Sequence, residues 1–372
     1  MARLVTFLGA LASPALALVS SLALSGSAQA GPVNLFIAPA NDTSTATAGQ
    51  VRAFNSLTGV FEGVVAPAQG NSQIQGLTRG PDGSLYGSYF DSRSNIDGRV
   101  LRIKPDGTVE TFVAAGSGGL KSPAGLTFGA TGDLYVANAG GLAGSVLRYD
   151  GATGAFLGVF AATGISVPQD IVFGADGHLY VSNGYTDSIS RYDGLTGAFL
   201  GYFVAPGAFG LDAPIGMAFS SDLDLYVASF PTNRVFRFAS GGGTLISTFD
   251  LPYVDGTDTL LDVAFGPDQR LYTATRLAQG GTQFLRLDAS TGAVLSVFGS
   301  MDAPFSFNTG MVFADAGCAS LGAAAGQASG CYVPGGVAVP ERAPTAWLLA
   351  VGLCALGALR RACRSRVDDC CD

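Results

Sequence analysis

Apolar residues in this chain come in short runs split by Gly, Asp, Ala and Thr, and the runs recur at a fixed distance. The stretch Gly125–Asn138 reads GLTFGATGDLYVAN, and DIVFGADGHLYVSN (Asp170–Asn183) and GMAFSSDLDLYVAS (Gly216–Ser229) repeat it. An earlier copy is GLTRGPDGSLYGSY (Gly76–Tyr89) and a later one is DVAFGPDQRLYTAT (Asp262–Thr275). The Leu-Tyr pair falls at 85, 134, 179, 225 and 271. A period of about 40–50 residues is the mark of a repeat architecture.

Each copy holds two β-branched and aromatic runs around a tight turn, which predicts a β-hairpin. A third run follows, as in SVLRYD (Ser145–Asp150), and after a GATG-type turn comes a fourth, AFLGVF (Ala155–Phe160). Four antiparallel strands per repeat, with no helical period between them, describe one blade of a β-propeller. A β-solenoid would need much shorter coils.

The two ends complete one another. Asn34–Ala38 matches the second strand of the repeat, so the first blade lacks its innermost strand. The isolated run Thr309–Gly317 matches the missing piece. Five complete repeats plus this composite make an all-β, six-bladed propeller over residues 31–317, closed by a C-terminal strand that completes the N-terminal blade. Closure of this kind removes exposed sheet edges.

Composition narrows the function classes. The net charge of -8 argues against a nucleic-acid partner, which would need a basic stripe. All six cysteines follow residue 317, so no disulfide staples the repeats. Residues 1–30 carry Arg3, an apolar stretch and Ala28-Gln29-Ala30, the pattern of a cleaved signal peptide. Residues 318–338 are a Gly/Ala-rich linker, in which Cys318 and Cys331 are candidates for a disulfide in an oxidising compartment.

The long-loop face of the propeller is the expected binding face, since function concentrates on variable loops held by a rigid scaffold. The second strands should present Tyr89, Asn138, Asn183, Ser229 and Thr275 at the channel mouth there, and the inner strands Asp170 and Asp262. Asn138, Asp170, Asn183 and Asp262 offer oxygens for a hard cation such as Ca²⁺. The same residue types also satisfy backbone amides at strand ends, and the sequence leaves both readings open. Arg102, Arg148, Arg191, Arg237 and Arg286 recur at one position of the third strand and are expected to pair with a carboxylate or carbonyl. His178, the single histidine, sits in a short turn, which removes Ser-His-Asp and Cys-His catalysis.

Two resemblances follow from these residues. The copies of GLTFGATGDLYVAN resemble the NHL family and its relatives, the gluconolactonase-type and virginiamycin-lyase-type six-bladed propellers. Gluconolactonase-type enzymes hold a divalent ion with a Glu, two Asn and an Asp, whereas the propeller glutamates here, Glu62 and Glu110, fall in outer fourth strands. The lyase type relies on a catalytic histidine, and His178 is out of place for that role. Val339-Pro340-Glu341, the apolar run from Ala343 to Leu359 and the cluster starting Arg360-Arg361 resemble a PEP-CTERM sorting signal over 339–366, with 367–372 as a cytoplasmic tail. That resemblance implies an exosortase-type partner, transient inner-membrane association and a Gram-negative host. The expected function is an exported, surface-associated module binding polysaccharide or protein. A metal-dependent hydrolase or lyase is the alternative.

Overall fold

The computed structural model describes residues 34–38, 50–56, 58–67, 73–91, 96–252, 259–277, 281–301 and 310–314. The expected signal peptide (1–30), the expected linker with Cys318 and Cys331 (318–338), the expected sorting segment (339–366) and the expected tail (367–372) lie outside them. Among the described residues no helix is long and apolar enough to cross a membrane.

The described strands form six four-stranded antiparallel sheets. Blade 3 shows the plan, running from its inner strand Pro123–Phe128 through Leu134–Asn138 and Ser145–Tyr149 to its outer strand Phe156–Ala161. The other inner strands are Gln73–Arg79 in blade 2, Pro168–Phe173 in blade 4, Pro214–Phe219 in blade 5 and Thr259–Phe265 in blade 6. Blade 1 is the composite. Its inner strand, Gly310–Ala314, pairs antiparallel with Asn34–Ala38, placing Leu35 opposite Phe313 and Ile37 opposite Met311. Each inner strand packs on the next, and that of blade 6 packs on that of blade 1, so the ring closes.

The core lies between the blades rather than inside one of them. Six buried clusters occupy the six blade interfaces. Because a second strand has a blade on each side, LYVAN and LYVSN are buried along their whole length. A strand covered on both faces reads as a continuous apolar run, which accounts for the missing alternation there.

One aromatic contact repeats at these interfaces. Tyr135 of blade 3 meets Phe160 of its own outer strand edge-on at 4.8 Å and Phe173 of the next inner strand at 5.1 Å. Tyr180 does the same with Phe203 and Phe219, and Tyr272 with Phe298 and Phe313. Edge-to-face pairs contribute about 0.5–1.5 kcal/mol beyond their buried area. Phe313 therefore places the C-terminal strand in the same lock as the other blades.

Turn chemistry sets the spacing between blades. In the Asp-x-x-Thr-Gly turns, Asp193 Oδ1 accepts from Leu195 N, Thr196 N and Thr196 Oγ1. Gly197 ends that turn at φ 73°, and a Cβ there would lie 1.9 Å from the carbonyl oxygen of Phe160 in the preceding blade. Glycine is required there twice, for the left-handed backbone and for the close approach.

Candidate functional site: the central channel

The six inner strands surround a cavity of about 120 Å³. At the end where these strands begin, its wall carries Gln75, Gln169, Asp170 and Asp262. Thr78 and Thr127 line it further along, on blades 2 and 3, while Val172, Ala218, Ala264 and Val312 make the other four blades apolar at the same strand position.

Asp170 and Asp262 sit beside register shifts in their inner strands, where a bulge turns the backbone toward the neighbouring blade. Asp170 Oδ1 accepts from Ile171 N at 2.8 Å, and Oδ2 accepts from Met217 N of blade 5 at 2.9 Å. Asp262 repeats the arrangement, with Val263 N at 2.8 Å and Met311 N of blade 1 at 3.0 Å. Around the ring this position reads Gly76, Gly125, Asp170, Gly216, Asp262 and Gly310. Glycine precedes each aspartate because a Cβ at Gly125 would lie 2.3 Å from Asp170 Oδ1, and one at Gly216 would lie 2.0 Å from Asp262 Oδ1. Ser182 adds a bond across the same interface as Asp170, donating to Ile215 O at 2.8 Å. Ser88 donates to Ala124 O at 2.6 Å between blades 2 and 3.

Burial controls the electrostatics of the two carboxyl groups. It pushes Asp170 up to about 7, with the Met217 and Ile171 N–H groups pulling the other way. Asp262 is raised well above the ordinary carboxylate value by burial and then by the charge of Asp170. Hydrogen bonds to the ionised form offset only part of the desolvation.

The second-strand residues take a different place. Asn138 Oδ1 accepts from Lys121 N at 3.0 Å and Ser122 N at 3.3 Å, and its amide donates to Gly119 O. Asn183 Oδ1 accepts from Ser166 N at 3.0 Å, while its amide donates to Ser190 Oγ at 2.7 Å. Ser229 Oγ accepts from Asp212 N and donates to Asp212 O. In all three the bonded residue lies 17 positions earlier, in the loop that enters the same blade. By that spacing the counterpart for Thr275 is position 258, outside the described residues. Thr275 itself is buried. Tyr89 is 1% exposed and packs with Ile74, Leu77 and Leu101 between blades 1 and 2. Of the residues expected at the channel mouth, only Asp170 and Asp262 line the cavity.

This placement bears on a divalent cation. Among the described residues, no three of His, Cys, Asp or Glu converge. Both oxygens of Asp170 and of Asp262 hold backbone N–H groups, and Asn138 and Asn183 are engaged with loops away from the cavity. A Glu, Asn, Asn, Asp set does not fit here, since Glu62 and Glu110 lie in outer strands Phe61–Ala66 and Val109–Val113.

The opposite end of the ring is built from ion pairs. Arg148 bonds Asp133 at 2.5 Å, Arg237 bonds Asp224 at 2.7 Å, Arg286 bonds Asp268 at 2.5 Å, and Arg102 pairs with Asp82. Arg148 and Arg237 also lie over the rings of Tyr135 and Tyr226. These contacts join the first turn of a blade to its third strand, the role expected of a cation at that repeat position.

Sequence reasoning missed Gln75, Thr78, Arg79, Thr127 and Gln169 as channel residues. Arg79 was findable. It stands where the other five inner strands carry Phe128, Phe173, Phe219, Phe265 and Phe313, and it is 8% exposed in the cavity wall.

No protein-family model matches the chain, and no curated protein matches it in sequence. Solved structures do match in shape. A chain of the nidogen/laminin complex aligns with TM-score 0.59 at 15% identity, covering 75% of this chain and 98% of that one. A Bacteroides caccae protein of unknown function aligns with TM-score 0.54 at 14% identity over 76% and 99%. The periplasmic gluconolactonase of Pseudomonas aeruginosa aligns with TM-score 0.53 at 17% identity over 75% and 99%. At these identities the likeness is one of fold: the chain is an all-β propeller of four-stranded blades.

Proposed function

We propose that this protein is an exported, cell-envelope or surface-associated propeller that binds a polysaccharide or protein ligand without catalysing a reaction. One observation carries the reading. The polar side chains that the repeats supply at strand ends are committed to the scaffold, Asp170 and Asp262 between blades and Asn138, Asn183 and Ser229 to loops. The polar residues left in the cavity wall are the amides of Gln75 and Gln169, the hydroxyls of Thr78 and Thr127 and the guanidinium of Arg79, groups that orient a ligand. Export rests on residues 1–30, and retention at the envelope rests on the sorting-type segment 339–366, with an exosortase-type enzyme as its processing partner.

A second reading is a metal-dependent hydrolase or lyase acting from the channel. It is favoured by the raised Asp170 carboxyl in the cavity wall and by the neighbour named as a gluconolactonase. Fold alone does not choose between the two, since one architecture hosts many activities.

Native mass spectrometry of the protein isolated from its host tests both parts. The binding reading predicts no stoichiometric divalent metal on the folded chain. The sorting reading predicts a species that begins at Gly31 and ends near residue 340. Bound metal that is lost in Asp170→Ala would favour the enzyme, and a chain still ending at Asp372 would make the tail an ordinary anchor.

A further inference from the structure

The outer strands divide the circumference into apolar and polar arcs. In blade 3, Phe156, Leu157 and Val159 are exposed by 40%, 52% and 59%. In blade 4, Phe199, Leu200 and Tyr202 of Phe199–Val204 are exposed similarly. Neither strand, FLGVFA or FLGYFV, contains a charge. The two are neighbours, since Gly197, in the turn leading into the blade 4 strand, lies against the Phe160 carbonyl of blade 3.

A matching arc lies across the ring. Blade 6 exposes Val294, Leu295 and Val297 of Val294–Met301, and blade 1 exposes Val60, Phe61 and Val64. Gly59 of blade 1 abuts the Phe298 carbonyl of blade 6 in the same way. Between the arcs stand blades 2 and 5. Their outer strands carry Glu110, paired with Lys104 at 2.6 Å, and Asp250, paired with Arg234 at 2.6 Å. Among the large apolar side chains of those two strands, only Ile246 is exposed. In a ring of six, blades 2 and 5 are opposite, so the two apolar arcs are opposite as well.

We propose that this protein associates with further copies of itself, edge to edge, through these two arcs. Six large side chains at about half exposure present on the order of 500 Å² per arc, given 150–250 Å² for each aromatic ring. Two copies meeting arc to arc would bury on the order of 1,000 Å², the lower bound for a specific interface. A second copy is the occupant because both arcs are uncharged apart from Glu62, which takes a bond from Asn55 Nδ2, and because each arc resembles the other. The contact is made by side chains and not by strand addition. Register shifts interrupt the pairing of all four outer strands with their neighbours, and Gly63, Gly158 and Gly201 hold three of them at positive φ. Bulges of this kind twist an edge away from ladder pairing. Two opposite arcs give an open chain of copies, where a single arc would stop at a dimer.

Sedimentation velocity of the full chain over a wide concentration range tests this. Wild type should form species larger than dimers that grow with concentration. Val159→Lys with Leu200→Lys, or Leu295→Lys with Val297→Lys, should each halt growth at the dimer. The four-site variant should be monomeric, with an unchanged melting temperature because all four positions are exposed. If lysine disturbs folding, serine at the same positions should give the same ordering. A wild type that stays monomeric, a one-arc variant that grows past the dimer, or a four-site variant that still associates would overturn the proposal.

Discussion

Asp170 and Asp262 spend their carboxylates on backbone amides of the next blade, and the consequence is a pH dependence. Each group titrates higher in the folded chain than its ordinary value, Asp170 near 7. From the ordinary carboxylate range up to about 7 the folded state holds more protons than the unfolded one. Stability contributed by Asp170 therefore falls as pH rises through that window and levels off above it. The carboxyls lowered by their own turns, such as Asp150 and Asp193, lose stability only at more acidic pH and do not compete there. The melting temperature should accordingly rise on going from pH 7.5 to 5.5, and the slope should flatten in Asp170→Asn/Asp262→Asn. Calorimetry that shows wild type flat or falling over that interval would remove this account.

At the scale of the element, strand positions were legible because a repeat corrects itself. An ambiguous run such as Asn34–Ala38 is assigned by its better copies, and the structure gives a strand with the same bounds. The site was less legible. Strand-end Asp and Asn point equally to a ligand and to backbone amides, and only the fold shows which N–H lies within reach. Asn183 illustrates this. No periodicity reveals that its oxygen holds Ser166 N or that its amide reaches Ser190, because both contacts depend on where the entering loop crosses. The apolar runs of the outer arcs stand in the sequence as FLGVFA and FLGYFV, but their exposure emerges only in the ring, where no described residue covers them. Asn183→Ala should cost about 1–3 kcal/mol, since it leaves a loop N–H and buried hydroxyls without their partner. Urea denaturation measures this, and a loss within a few tenths of a kcal/mol would mean that the loop is held elsewhere.

For the molecule as a whole, the ring is the claim on which the rest depends. The channel, the blade-to-blade bonds of Asp262 and the opposition of the two apolar arcs all require Gly310–Ala314 to be the inner strand of blade 1. Met311, Val312 and Phe313 are buried, Phe313 meets Tyr272 at 4.8 Å, and Met311 N donates to Asp262. A strand so held should open only with the global unfolding of the ring. Native-state hydrogen exchange tests this directly. The account predicts that the strand-paired amides of Gly310–Ala314 exchange as slowly as those of Leu134–Asn138 in blade 3. Exchange at the rate of an unstructured chain would contradict it and leave an open, five-bladed sheet array in place of the closed ring.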